Sequence, residues 1–198
     1  MNTLGRKLFA HLILCFFCLV GTMVEAGEHS SSTGHSGKSW ILSAGYGITH
    51  NGMGETKVDV ETVDVVVGRE TFLTENFGRG LFYGRHSLVV EVPLSFVVVP
   101  WEEPMIGLNF LARWTFESSE KTKPYVFAGG GPVYTNAKIK GLGSKVNGNY
   151  QYGLGVRFPS RIGDEFVIEY HFHHISNMNT KDPNDPLNSS KLLFGVRF

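Results

Sequence analysis

Residues 165–176 read Glu165-Phe166-Val167-Ile168-Glu169-Tyr170-His171-Phe172-His173-His174-Ile175-Ser176. Large apolar groups occupy every second position, Phe166, Ile168, Tyr170 and Phe172, while Glu169, His171 and His173 take the other phase. A period of two is the mark of a β-strand with one greasy and one polar face. The same pattern recurs from Trp40 onward. Trp40, Leu42, Ala44, Tyr46 and Ile48 form one stripe, and Leu88, Val90, Val92, Leu94, Phe96 and Val98 form another. Ile106, Leu108, Phe110, Ala112, Trp114 and Phe116 make a third, Tyr150, Tyr152, Leu154, Val156 and Phe158 a fourth. Leu192, Phe194, Val196 and Phe198 end the chain. Glu91, Asn109, Arg113, Gln151, Arg157, Glu169 and Arg197 all fall opposite these stripes.

Alternation alone does not say which face is wet. In a soluble sandwich the apolar face is inside; in an outer-membrane barrel it meets lipid and the polar face fills the lumen. Three features select the barrel. The apolar phase is aromatic toward strand ends, as interfacial girdles require, and the opposite phase is rich in glycine (Gly45, Gly47, Gly107, Gly153, Gly155, Gly195), as a narrow lumen requires. The chain ends on an alternating strand with Phe198, which resembles the C-terminal signal read by the bacterial outer-membrane insertion machinery. Charge placement agrees, because an Arg on the lipid face near the midplane costs roughly 2–4 kcal/mol.

Composition bounds the rest. The chain has 198 residues, 18 Lys+Arg against 18 Asp+Glu, and 24 Gly. Zero net charge offers no attraction for nucleic acid, and a mean hydropathy of -0.04 excludes a bundle of membrane helices. With 13% aromatic residues the chain is not a disordered one. At the N-terminus, Arg6 and Lys7 precede an apolar run from Leu8 to Val20, and Val24-Glu25-Ala26 has the small residues of a cleavage site. Residues 1–26 therefore read as a signal peptide, 27–38 as a flexible leader with His29 and His35, and 39–198 as the barrel domain. Cys15 and Cys18 leave with the signal, so the exported chain has no thiol chemistry.

Eight strands are predicted, near 39–49, 57–67, 86–98, 104–116, 123–135, 148–159, 165–176 and 191–198. The fold class is thus all-β, an eight-stranded antiparallel transmembrane β-barrel whose interior is filled by side chains. The second strand fits least well, since Asp59, Glu61 and Asp64 do not hold one phase without a bulge. The stretch 68–85 is also longer than an inner turn should be. With both termini on the periplasmic side, the connection from Asn177 to Ser190 lies at the cell surface.

That connection carries the chemistry. His174 and Ser176 are two apart on one strand, so their side chains leave the same face, about 6–7 Å apart at Cα. A neutral imidazole there can take the serine proton and generate an acyl-transfer nucleophile. Both residues continue the lipid-facing stripe, so such a hydrolase would meet lipid. Taken alone, His-x-Ser reads first as a polar strand end among lipid head groups.

The longer string, His174-x-Ser176-Asn177, then Pro183-Asn184-Asp185 and Asn188, resembles the outer-membrane lipid A 3-O-deacylase family known as PagL. The resemblance implies Ser176 as nucleophile, His174 as base and Asn177 as a candidate oxyanion donor. It also implies lipid A in the outer leaflet as substrate, loss of the 3-O-linked acyl chain, and no metal or cofactor, with a homodimer left open. One position departs from the family: a Glu stands there where this chain has Asn188. Asn188 is kept as the residue orienting the imidazole, since an amide carbonyl can hold the tautomer, and Asp185 is the alternative acid. Glu169, His171 and His173 read as a lumen hydrogen-bond network in preference to a metal site. Two other functions compete: a structural or adhesive barrel without catalysis, and a palmitoyl transferase, which would need a lumen pocket for an acyl chain.

Overall fold

The computed structural model describes residues 37–100, 103–117, 121–136, 138–162 and 164–198. The expected signal peptide, 1–26, and the leader up to residue 36 lie outside the described residues. Nine strands follow one another: β1 (Lys38–Thr49), β2 (Glu61–Phe77), β3 (Gly84–Val99), β4 (Glu103–Gly107), β5 (Asn109–Phe116), β6 (Lys123–Thr135), β7 (Val146–Pro159), β8 (Glu165–Ser176) and β9 (Leu187–Arg197). Every pairing is antiparallel, and β1 pairs with both β2 and β9, closing the sheet. Closure removes the sheet edges, which is the condition for a strand structure to survive in hydrocarbon. β4 and β5 both lie between β3 and β6 and are two parts of one barrel strand. Leu108 interrupts them, yet its N–H still reaches Pro132 O at 3.0 Å. The ring therefore has eight staves.

Three strands differ most in their bounds from the sequence reading. The second strand runs from 61 to 77 rather than 57 to 67, and β3 begins at 84. The long 68–85 stretch is thus mostly a β-hairpin, with a single turn of 3-10 helix at Gly80–Phe82 near its tip. The register of β2 against β3 shifts between Glu61 and Thr62, the bulge that the mixed phase of Glu61 and Asp64 required. Finally β9 begins at Leu187 rather than 191, because polar Asn188, Ser189 and Ser190 hid its start.

The faces fall as charge demands. On β8, odd positions 165 to 175 are buried and even positions 166 to 176 are half-buried or exposed. Inside, Glu70 accepts from Arg157 Nη2 at 2.7 Å and Arg197 Nε at 3.1 Å, with Arg113 Nη1 3.6 Å away. Glu169 accepts from Arg113 Nη2 at 2.6 Å and from Tyr125 OH at 2.7 Å, and its other oxygen meets His171 Nε2 at 3.0 Å. Nearer the site, Lys191 Nζ donates to Asp64 Oδ1 at 2.6 Å. Paired in this way, the lumen charges escape the penalty of an isolated buried ion. Glu169 and His171 thus stand in the expected lumen network, while His173 Nδ1 has no partner among the described residues.

β6 reverses the usual phase by turning Tyr125 and Phe127 inward. Gly155 and Gly153 stand directly across on β7, and a Cβ at either would collide with those rings. Lumen glycines are therefore sockets for aromatic side chains. The free space left is small: a lumen cavity bounded by Glu91, Gln151, His171, His173 and Lys191 has about 20 Å³, room for roughly one water. No acyl chain fits there, which removes the basis for the palmitoyl-transferase reading.

Leu154 lies mid-strand on the outer face of β7 and is 61% exposed. Leu154→Arg is expected to destabilise the barrel by about 2–4 kcal/mol in urea unfolding from lipid vesicles. A water-facing Leu154 would tolerate the change.

Candidate active site

The site forms where β8 and β9 leave the barrel, at the end that carries the long loops 50–60, 136–145 and 177–186. Long loops lie on the outer side of such barrels and short turns on the periplasmic side. Ile175 and Leu187 pair across β8 and β9 and point inward. Both are buried in an apolar cluster with Val60, Val97, Met105, Val133 and Ile139, which closes the lumen beneath the loops. Because successive side chains alternate, anchoring Ile175 and Leu187 inside turns His174, Ser176 and Asn188 out.

The same register puts His174 directly opposite Asn188. His174 Nδ1 and Asn188 Oδ1 are 2.8 Å apart. An amide oxygen only accepts, so Nδ1 carries the proton, and in the neutral ring Nε2 keeps its lone pair. The amide's orientation follows from its other end, where Asn188 Nδ2 donates to Met53 O and to Thr56 Oγ1, each at 3.0 Å. Tyr150, opposite His174 on β7, stacks on the imidazole with ring centroids 4.4 Å apart and planes 17° from parallel. The ring is thereby held on one nitrogen and one face, with Nε2 free to act as base.

Ser176 is half-buried at the end of β8, two residues beyond His174 on the same face. Gly148 is its cross-strand neighbour. A Cβ at Gly148 would meet Met178 Cε at 3.6 Å and Sδ at 3.9 Å, so the Met178 side chain lies against this neighbour of the serine at ordinary contact distance. No hydrogen bond joins Ser176 to His174 among the described residues.

The other expected residues have different partners. Asn177 is buried; its Nδ2 donates to Lys181 O at 2.6 Å and Pro183 O at 3.3 Å, and its N–H donates to Asn184 Oδ1 at 2.7 Å. In this arrangement it clamps the 177–186 loop, and none of its donors faces Ser176 unengaged. Among the described residues Asp185 makes no hydrogen bond or ion pair with His174. Its carboxylate pairs with Lys57 Nζ at 2.7 Å, a bond that raises the lysine's pKa, and its N–H donates to Gly141 O. Asn188 arrives by strand register, so the loop prolines are not what returns it to the imidazole.

Sequence reasoning missed several neighbours. Tyr150 lies in the right phase, but only the β7–β8 register shows that it faces His174. A second serine–histidine pair lies beside the first: His50 Nε2 is 2.7 Å from Ser190 Oγ, and Tyr170 OH is 2.5 Å from the same oxygen. His50 is joined to Asn188 through its backbone, N–H to O at 2.9 Å. The two histidines thus flank Asn188 along one outward row. Residues 51 to 56 carry no periodicity that would flag Met53 or Thr56 as neighbours of the site.

The family model described as lipid A 3-O-deacylase (PagL) matches residues 62–197, more than half of the chain. The chain belongs to the PagL family of lipid A 3-O-deacylases. Two solved structures share its fold. The outer-membrane enzyme PagL is 18% identical with a TM-score of 0.58, covering 80% of this chain and 98% of that one. Neisserial surface protein A is 12% identical with a TM-score of 0.58, covering 82% and 96%. No curated protein matches the chain. As a PagL-family barrel it is a bacterial outer-membrane hydrolase acting on lipid A, and nothing in these matches favours a purely structural or adhesive barrel.

Since Ile175 holds the outward residues in register, Ile175→Ala is expected to cost about 2–5 kcal/mol in urea unfolding from detergent micelles. Leu154→Ala, on the lipid face, serves as the comparison and should cost less.

Proposed function

We propose that Ser176 is the nucleophile that removes the 3-O-linked acyl chain of lipid A, with His174 as general base and Asn188 as the residue that positions the imidazole. The observation that carries this reading is the 2.8 Å contact between His174 Nδ1 and Asn188 Oδ1, which supports a proton on Nδ1. With the proton on Nδ1, Nε2 is left as the base, on the lipid-facing wall and two residues from Ser176 on the same strand face. Ser176 Oγ attacks the ester carbonyl while its proton passes to Nε2. The tetrahedral intermediate then breaks the bond to the sugar oxygen, which takes that proton. Water, deprotonated by the same imidazole, cleaves the acyl-serine and releases a free fatty acid. The substrate's chains lie along exposed Tyr150, Tyr152 and Leu154 and half-buried Phe172, a row that runs down the wall from the site.

A neutral amide stabilises the imidazolium less than a carboxylate would. Oxyanion stabilisation by Asn177 requires one of its loop bonds to be exchanged for the substrate oxygen. A second reading rests on the Ser190–His50 pair, the serine that already has an imidazole nitrogen at hydrogen-bond distance. In that reading Ser190 is the nucleophile and Tyr170 donates to it.

Two measurements separate these readings. Ser176→Ala and His174→Ala are each expected to lower turnover by about 10⁴–10⁶ while leaving the barrel folded. Mass spectrometry of lipid A from expressing cells reads this as retention of the 3-hydroxyacyl group that the wild type removes. A lipid-tailed phosphonate should leave its adduct on Ser176; an adduct on Ser190 that His50→Gln abolishes would transfer the role to the second pair.

A further inference from the structure

An asparagine in place of a carboxylate raises a problem that a carboxylate does not have. Both oxygens of a carboxylate accept, whereas an amide offers the imidazole either an acceptor or a donor, depending on which way it is turned. Turned with Nδ2 toward His174, Asn188 would bind the other tautomer, leaving the proton on Nε2 and no base for a serine. Something outside the Asn188–His174 pair must set the amide.

We propose that Thr56, on the loop between β1 and β2, is that positioning residue. It is 2% exposed, and its hydroxyl has no freedom left. The hydroxyl hydrogen is donated to Pro186 O at 2.9 Å, a carbonyl that can only accept. Thr56 Oγ1 therefore presents lone pairs alone to Asn188. It receives the Asn188 backbone N–H at 2.9 Å and Nδ2 at 3.0 Å. Met53 O receives the same Nδ2 at 3.0 Å. A reversed amide would set its oxygen against two acceptors, and buried acceptors left facing each other are costly.

The loop is shaped for this contact. Gly52 and Gly54 take positive φ, +87° and +58°, so the chain curls back between His50 and Thr56. A Cβ at Gly54 would stand 3.3 Å from Asn188 Nδ2, so the backbone passes close over the amide. Asn188 points outward by register yet is only 8% exposed, because this turn covers it. A glutamate or aspartate at 188 would face Met53 O with an unwanted charge. The β1–β2 loop is thus matched to the asparagine that this chain carries.

The proposal rests on the assignment of His174 and Asn188 given above, and its test reads the imidazole directly as well as the activity. Nitrogen shifts of ¹⁵N-histidine-labelled, refolded full-length protein, recorded above the imidazole titration and assigned by loss of the signal in His174→Gln, report the His174 tautomer. The wild type is expected to show Nδ1 protonated. Thr56→Val should introduce the Nε2-protonated form and lower kcat on the order of 10- to 100-fold with KM little changed. Thr56→Ser should restore both readings to wild type. In an Asn188→Asp background, where no amide can turn, Thr56→Val should leave the tautomer as Nδ1-protonated. Thr56→Ala gives the same readings without the branched bulk of valine, should Thr56→Val fail to refold.

A Thr56→Val or Thr56→Ala protein that loses activity with its tautomer unchanged would reduce Thr56 to a structural residue and overturn the proposal, as would one with wild-type turnover. Failure of the Ser176 assignment would show instead as activity surviving Ser176→Ala, and would leave the tautomer result standing.

Discussion

In hydrocarbon a backbone amide has no water to fall back on, so a strand that enters lipid must pair on both sides along its whole length. That constraint fixes the ring: β1 closes on β9, and Phe198 and Trp40 exchange two backbone hydrogen bonds at the seam. Closure also sorts side chains, because every inward position now shares a narrow lumen with every other. Glu70 meets three arginines there, and Glu169 meets Arg113, Tyr125 and His171. The polar half of each strand is consumed in satisfying itself. What remains for function is the outer wall and its upper rim.

The site uses that rim by the simplest device a sheet offers. Residues opposite each other in an antiparallel pair present neighbouring side chains on one face. Tyr150, His174 and Asn188 lie on three adjacent strands at one level, so the stacked ring, the imidazole and the amide that bonds it are brought together by register alone. A rigid apolar plug, with Ile175 and Leu187 at its edge, holds that register. The loops supply what strands cannot. The β1–β2 loop folds over Asn188, and the 177–186 loop is tied to Gly141 and Gly143 of its neighbour and to Lys57. The lipid-facing wall thereby carries a covered Asn188 amide bonded to a half-buried imidazole.

Much of this was legible from residue order. The period of two, the exclusion of charge from one phase and the glycine-rich opposite phase gave the barrel and its sidedness, and the sides of His174 and Ser176 followed. Boundaries were legible only where the pattern was clean: residues 123–135 and 165–176 are strands as read. The start of β9 was hidden because Asn188, Ser189 and Ser190 are all polar and so carry no apolar alternation. The hairpin 68–85 was hidden because its lower half extends beyond the main run of alternation.

Asn188 shows where sequence and structure part. The order of residues placed it fourteen positions after His174, with Asp185 nearer and more acidic, and a preference between them could rest only on family resemblance. Register decides the geometry, because a strand pairing adds one residue on each side of the turn and brings 174 against 188, while Asp185 is drawn to Lys57. By itself the sequence determined the architecture and the face on which the reactive groups stand, since both follow from local alternation and the cost of charge in lipid. Only the tertiary structure decided which side chain holds the imidazole and what turns that side chain, since Met53 and Thr56 reach it from a loop more than a hundred residues away.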